Sequence, residues 1–145
     1  MRRPIVLWFV VVLGIAAALL NLLKAAGSLL LVGQLPIKAV AFSVVIFAVI
    51  IAGSSWIVVS LLRRSIRSKT PVSIYLWFLL LIYPLINVLR AFGLFVPGPE
   101  YRAEELAGAA AVELLRYVLL IGLIVWVGIS KALKGHLSEP VGVAA

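Results

Sequence analysis

The chain has 145 residues, of which 65% are hydrophobic and 12% charged, with a formal net charge of +8 and no cysteine. A soluble domain is roughly half apolar, so a mean hydropathy of +1.25 leaves too little polar surface for a water-facing globule. It points to lipid as the solvent. Disulfides and thiolate metal sites are excluded, and the length suits a single unit.

Met1-Arg2-Arg3-Pro4 opens the chain, and an apolar run follows from Ile5 to about Lys24. Two arginines, an apolar stretch and Ala16-Ala17-Ala18 have the outline of a cleaved secretory signal. The run nevertheless continues through Leu19-Leu20 and three more such runs follow, which favours a membrane span. Gly27 and Gly33 flank a stretch read as an interfacial turn before Pro36. The second span is expected at 37–62, the third at 72–96 and the fourth at 106–133. Each exceeds or matches the about 20 apolar residues that cross a bilayer. Continuous apolarity, rather than alternation, makes them helices and not barrel strands. The fold class is therefore all-α, an up-down-up-down four-helix membrane bundle in one domain over residues 1–133, and 134–145 reads as a disordered cytoplasmic tail.

Each span opens just after a proline: Pro4, Pro36, Pro71 and Pro99. Proline fits the first helical turn, where its missing N–H would be unpaired anyway. Thr70 is the expected N-cap of the third helix, and Glu104 and Glu105 suit the positive N-terminal end of the fourth. Pro84 should remove a backbone bond inside the third helix and kink it. Small residues spaced four apart, Gly14 with Ala18, Ala48 with Ala52, and Ala103 with Ala107 and Ala111, mark faces where helices can approach closely. Trp8, Trp56, Trp77 and Trp126 all fall toward one half of the bundle, within reach of the interface where indoles are favoured.

Charge gives the orientation. Arg2, Arg3, Arg63, Arg64, Arg67, Lys69, Lys131 and Lys134 fall on one side, and Lys24, Lys38, Arg90, Arg102 and Arg116 on the other, offset there by Glu100, Glu104, Glu105 and Glu113. Positive-inside bias puts both termini in the cytoplasm of a cell inner membrane. The loop Arg63–Lys69, with Arg63, Arg64, Arg67 and Lys69, is either the topogenic determinant alone or a surface for anionic lipid, at about 1 kcal/mol per basic residue. It lacks the aromatics and structured basic face of a nucleic-acid site, so no nucleic-acid partner is expected. His136 stands in the tail with no second His, Cys or carboxylate pair at metal-ligand spacing and is read as solvated. No metal or cofactor is expected.

One tetrapeptide recurs: NLLK at 21–24, NVLR at 87–90 and ELLR at 113–116. At 1.5 Å per residue, Asn21 lies roughly 24 Å along its helix from Ile5, and Asn87 and Glu113 lie at similar depths in theirs. Residues three apart share a helix face. Asn21, Lys24, Asn87, Arg90, Glu113 and Arg116 thus form a candidate polar layer in the outer part of the membrane. Glu113, the only acid inside a span, is expected to pair with Arg116 or across helices with Arg90 or Lys24. The layer either fixes helix register or forms a shallow pocket for a phosphate, carboxylate or lipid head group. Ser43, Ser54 and Ser55 have no histidine in the membrane to activate them. A non-enzymatic accessory or scaffolding subunit, alone, as a homo-oligomer or in a larger membrane complex, is the first functional expectation. A binder or oligomeric transporter of a small anion or anionic lipid is the second.

From Leu61 onward the layout resembles a bacterial domain-of-unknown-function family, number 2569, of small four-span inner-membrane proteins. A basic run and a proline follow the second span, and Trp126-Val127-Gly128-Ile129-Ser130-Lys131-Ala132-Leu133-Lys134 supplies an aromatic, a serine and a basic ending. The family pattern favours a proline–tyrosine pair where Val125-Trp126 stands and an arginine where Ala132 stands. The resemblance implies a topology and no activity.

The orientation is testable with reporter fusions. Fusions after Lys69 and after Ala145 should read cytoplasmic and one after Pro99 periplasmic. A periplasmic reading at Lys69 would contradict the four-span arrangement.

Overall fold

The computed structural model describes residues 3–98, 100 and 102–139. The apolar runs fold as α1 (Ile5–Leu30), α2 (Ile37–Leu62), α3 (Thr70–Ala91) and α4 (Ala103–Ile129), and a short α5 (Lys131–Ser138) follows. The first four are long and apolar enough to cross a membrane. The expected all-α four-helix membrane bundle is what forms.

The element ends follow local chemistry. α1 continues to Leu30, beyond the expected end near Lys24, because Gly27 alone does not break it; the chain then turns at Gly33, whose φ is +95°. α2 has the expected bounds. It closes with Arg64 at φ +54°, while Arg64 N–H donates to Leu61 O (3.3 Å) and Ser65 N–H to Ser60 O (2.9 Å). This paired closure usually employs glycine at the left-handed position. α3 carries Pro71 in its first turn, but Thr70 lies inside the helix and makes no capping bond, contrary to the expectation for it. The helix runs on through Pro84. It ends at Ala91 rather than Val96, since Gly93 (φ +68°) closes it with bonds from Gly93 N–H to Arg90 O (3.0 Å) and Leu94 N–H to Leu89 O (2.9 Å). At the start of α4 the Glu105 carboxylate accepts from Arg102 N–H (3.2 Å).

α1 and α2 form the closest pair. Buried residues recur on α1 at Leu7, Gly14, Asn21 and Ser28 and on α2 at Val40, Phe47, Ser54 and Leu61, a seven-residue spacing that keeps one seam in contact. A Cβ built on Gly14 would lie 2.5 Å from Val58 Cγ2, so any larger residue here would force the Val58 side chain to shift. The other small-residue patches do not pack within the chain: Ala48, Ala52, Ala103, Ala107 and Ala111 are exposed. α3 joins α2 through a buried hydrogen bond between the Ser54 and Tyr75 hydroxyls (2.7 Å). α4 packs mainly on α3 and meets α1 where the Phe9 and Trp126 rings stand 5.5 Å apart.

The two ends of the bundle differ. The end that carries Arg3, the 63–69 loop and α5, here the basic end, is closed. Val6, Leu61, Ile66, Val72, Leu133 and Leu137 belong to the core cluster that fills it. The span expected to reach Leu133 breaks at Ser130, whose hydroxyl accepts from Leu133 N–H (3.1 Å) and starts α5. Residues 134–138, expected as part of a disordered tail, are therefore helical, while 140–145 lie outside the described residues. α5 turns Leu133, His136 and Leu137 inward. His136 is buried rather than solvated, because it shares the face of the two leucines.

Burial, reinforced by Arg64 and Arg3 and opposed by Glu139, pushes the His136 imidazole below its ordinary pKa. A lowered value in the folded state means the unfolded chain binds the proton first. The stability it contributes is then complete above about pH 6.5 and declines as pH falls toward the folded-state value. Hydrogen-exchange protection factors of 131–138, which remove the intrinsic pH dependence of amide exchange, should fall in the wild type as pH is lowered from about 7.5 to about 5.5. His136→Leu should flatten that dependence; an unchanged pH response in the variant would assign it to another group.

Candidate functional site

At the opposite end the helices diverge. α4 buries only Leu120 and Val127 among its described residues, both in its half nearer the basic end. Between α1, α3 and the outer part of α4 lies a cavity of about 450 Å³, lined by Lys24, Phe47, Tyr83, Ile86, Asn87, Arg90, Gly98, Glu113 and Arg116. Five of the six residues of the expected polar layer therefore surround one space. Lys24 comes from α1, Asn87 and Arg90 from α3, and Glu113 and Arg116 from α4.

Asn21 is the exception. It is buried in the α1 seam, its side-chain amide donates to Ala17 O at 2.7 Å, and its Oδ1 has no hydrogen-bond partner. Spacing alone puts Asn21 near Lys24 on the helix, but the long lysine reaches the cavity and the short amide does not.

Each cation is held differently. Arg116 pairs with Glu113 one turn earlier on α4, so this ion pair forms within a helix rather than across helices. Its guanidinium carbon lies 3.8 Å from the Tyr83 ring centre, well inside the range of a cation–π contact. The Arg116 Nε is buried with no hydrogen-bond partner. Arg90 Nε donates to Val96 O (3.1 Å), and its guanidinium carbon lies 5.4 Å from the Phe95 ring centre. A Cβ on Gly98 would come within 3.3 Å of an Arg90 Nη atom, so this glycine leaves room for the guanidinium. Lys24 and Asn87 make no side-chain hydrogen bond among the described residues.

The loop after α3 shapes this wall. Val96 N–H donates to Ser43 Oγ (2.8 Å), and Ser43 Oγ in turn donates to Ala39 O (2.8 Å). Phe95 is buried and stands edge-on to Phe47, 5.2 Å away at 80°. Sequence reading missed Tyr83, Phe47 and Gly98. Tyr83 carried a signal, since it precedes Asn87 by four residues and Arg90 by seven and so shares their helix face.

A second space adjoins the first. A cleft of about 270 Å³ lies between α1 and α4, with Leu13, Ala16 and Leu20 on one side and Leu115 and Leu119 on the other. Tyr83 and Arg116 line both the cleft and the polar cavity.

The basic loop has a structural task. Lys69 Nζ donates to Gly128 O (2.7 Å) and Ser130 O (3.2 Å), satisfying carbonyls at the C-terminal end of α4, as a cation there should. Arg64 is half-buried beside the His136 helix, whereas Arg63 and Arg67 are exposed. Among the described residues no three His, Cys, Asp or Glu side chains gather where a metal ion would fit. Compared with family models, curated proteins and solved structures, the chain finds no match.

Proposed function

We propose that this multi-pass protein lies in the cell inner membrane with both termini cytoplasmic, and that it binds an anionic group without catalysing a reaction on it. The observation that carries this reading is the convergence of Lys24, Arg90 and Arg116, from three different helices, on one cavity that contains a single carboxylate. Cations near a membrane interface can snorkel to water, so their gathering around one space favours a ligand of opposite charge. A phosphate or carboxylate satisfies guanidinium donors in a planar, directional manner. The absence of catalysis is supported by the serines: Ser54 is bonded to Tyr75 and Ser43 to the loop and to Ala39. His136 lies at the other end of the bundle. Arg63 and Arg67 remain available to anionic lipid at the cytoplasmic surface, with Arg64 beside them and Lys69 committed to α4.

Titration of the detergent-purified protein with glycerol 1-phosphate at fixed ionic strength tests the reading. Lys24→Gln and Arg116→Gln should each weaken binding about fivefold, the factor that corresponds to about 1 kcal/mol per basic residue. Glu113→Gln should strengthen it, because the competing carboxylate is gone. Binding that ignores all three substitutions would place the anion elsewhere.

A second reading, an accessory or scaffolding subunit or homo-oligomer, is favoured by a separate observation. Residues 103–108 of α4 are all exposed, and the face with Ala103, Ala107 and Ala111 stays uncovered among the described residues. The absence of cysteine makes Ala107→Cys a single probe. Oxidation in native membranes should yield a disulfide-linked dimer if α4 pairs with a second copy, and monomer throughout would count against self-association through this face.

A further inference from the structure

We infer that the anion held in the polar cavity is the head group of one membrane lipid, and that its acyl chain lies in the apolar cleft between α1 and α4. This rests on the anion-binding reading above and names its ligand class: an amphiphile with a phosphomonoester or anionic phosphodiester head.

Several independent features agree. The polar cavity and the apolar cleft adjoin, since Tyr83 and Arg116 line both. Their order along the bundle matches a lipid in a bilayer: the charged chamber lies toward the opposite end and the hydrocarbon-lined chamber deeper. A free phosphate would use the first chamber and leave the second without purpose. The cleft is open on its flank, where Leu20, Val112, Leu115 and Leu119 are 57%, 68%, 57% and 59% exposed. That opening faces the space where lipid tails lie, so the ligand enters sideways from the membrane rather than from water.

The emptiness of the cleft has a cause in the sequence. α1 presents Ala16 and Ala17 to it, and α4 buries nothing in its outer half among the described residues. Two small side chains face a helix that stays apart, and no protein group fills the gap. At the junction of the two chambers the Arg116 guanidinium is held against Tyr83 and Glu113, and its Nε remains buried and unpartnered. The charge balance selects the head group. The carboxylate of Glu113 is engaged by Arg116, so a quaternary ammonium would meet Lys24 with no counter-charge to receive it.

Native mass spectrometry of the protein loaded from mixed micelles of phosphatidylglycerol and phosphatidylcholine in equal amounts tests the proposal, together with glycerol 1-phosphate titration. The wild type should retain one phosphatidylglycerol in preference to phosphatidylcholine. Ala16→Trp, which fills the cleft and removes no cavity cation, should reduce retained phosphatidylglycerol about tenfold while glycerol 1-phosphate binds as before. Leu119→Trp fills the cleft from α4 and serves if Ala16→Trp fails to give helical, monodisperse protein. Unchanged lipid retention in a folded cleft-filling variant overturns the acyl-chain assignment and leaves the anion site standing. Equal retention of the two lipids by the wild type overturns the anionic head group. Failure of the wild type to bind either glycerol 1-phosphate or phosphatidylglycerol removes the anion reading itself, and this inference with it.

Discussion

The crossing of α1 and α2 at Gly14 organises the molecule. In lipid there is no hydrophobic force between apolar helices, and association depends on close van der Waals packing and interhelical hydrogen bonds. With Val58 Cγ2 at 2.5 Å and Ser54 O at 3.5 Å from where a Cβ would sit, Gly14 lets the Val58 side chain pack directly on the α1 backbone. The paired helices then act as a frame. α2 carries Ser43 and Ser54, eleven residues or about three turns apart and so on nearly the same face. Ser54 fastens α3 through Tyr75, and Ser43 fastens the loop beyond it through Val96. Both are small, so each hydroxyl reaches its partner without separating the helices.

Much of the architecture was legible in hydropathy. The four spans were readable, and the bounds of α2 needed no correction, because long apolar runs have few alternatives in a membrane. The errors came where apolar residues serve something other than a span. Leu94, Phe95 and Val96 look like a continuation of α3. Gly93 ends the helix before them, and Phe95 is apolar because it folds back onto Phe47. Leu133 looks like the end of α4 and Leu137 like part of a tail, yet Ser130 turns the chain and both seal the basic end. Both signals were local, a glycine and a serine, and hydrophobic continuity masked them.

The site was legible in part for a related reason. Depth along a helix follows from counting residues, so the common level of Lys24, Arg90 and Arg116 could be read. Rotation about the helix axis follows from which face packs, and for α1 that is settled by the seam through Gly14. Asn21 stands one heptad beyond Gly14 and is drawn into the seam with it. Its unpartnered Oδ1 records the conflict between a polar side chain and an apolar contact. At the other end of the bundle polarity is resolved instead. Lys69 and Arg3 give their charges to helix carbonyls, the latter to Leu62 O at 3.5 Å. Arg64 tolerates a left-handed backbone that costs roughly 1–2 kcal/mol in a non-glycine residue.

Lys69 has a mechanical consequence. It clamps the C-terminal carbonyls of α4, and Leu120 and Val127 seat the same half of that helix. The remaining half projects from this mounting with no buried residue among the described ones, and the contact of Arg116 with Tyr83 ties it to α3. Restraint is least at the Ala103 end, where the small-residue face begins, and greatest near Val127. The gap beside α1 is thereby bordered by the less restrained half of α4, whereas packing and the Lys69 bonds brace the basic end.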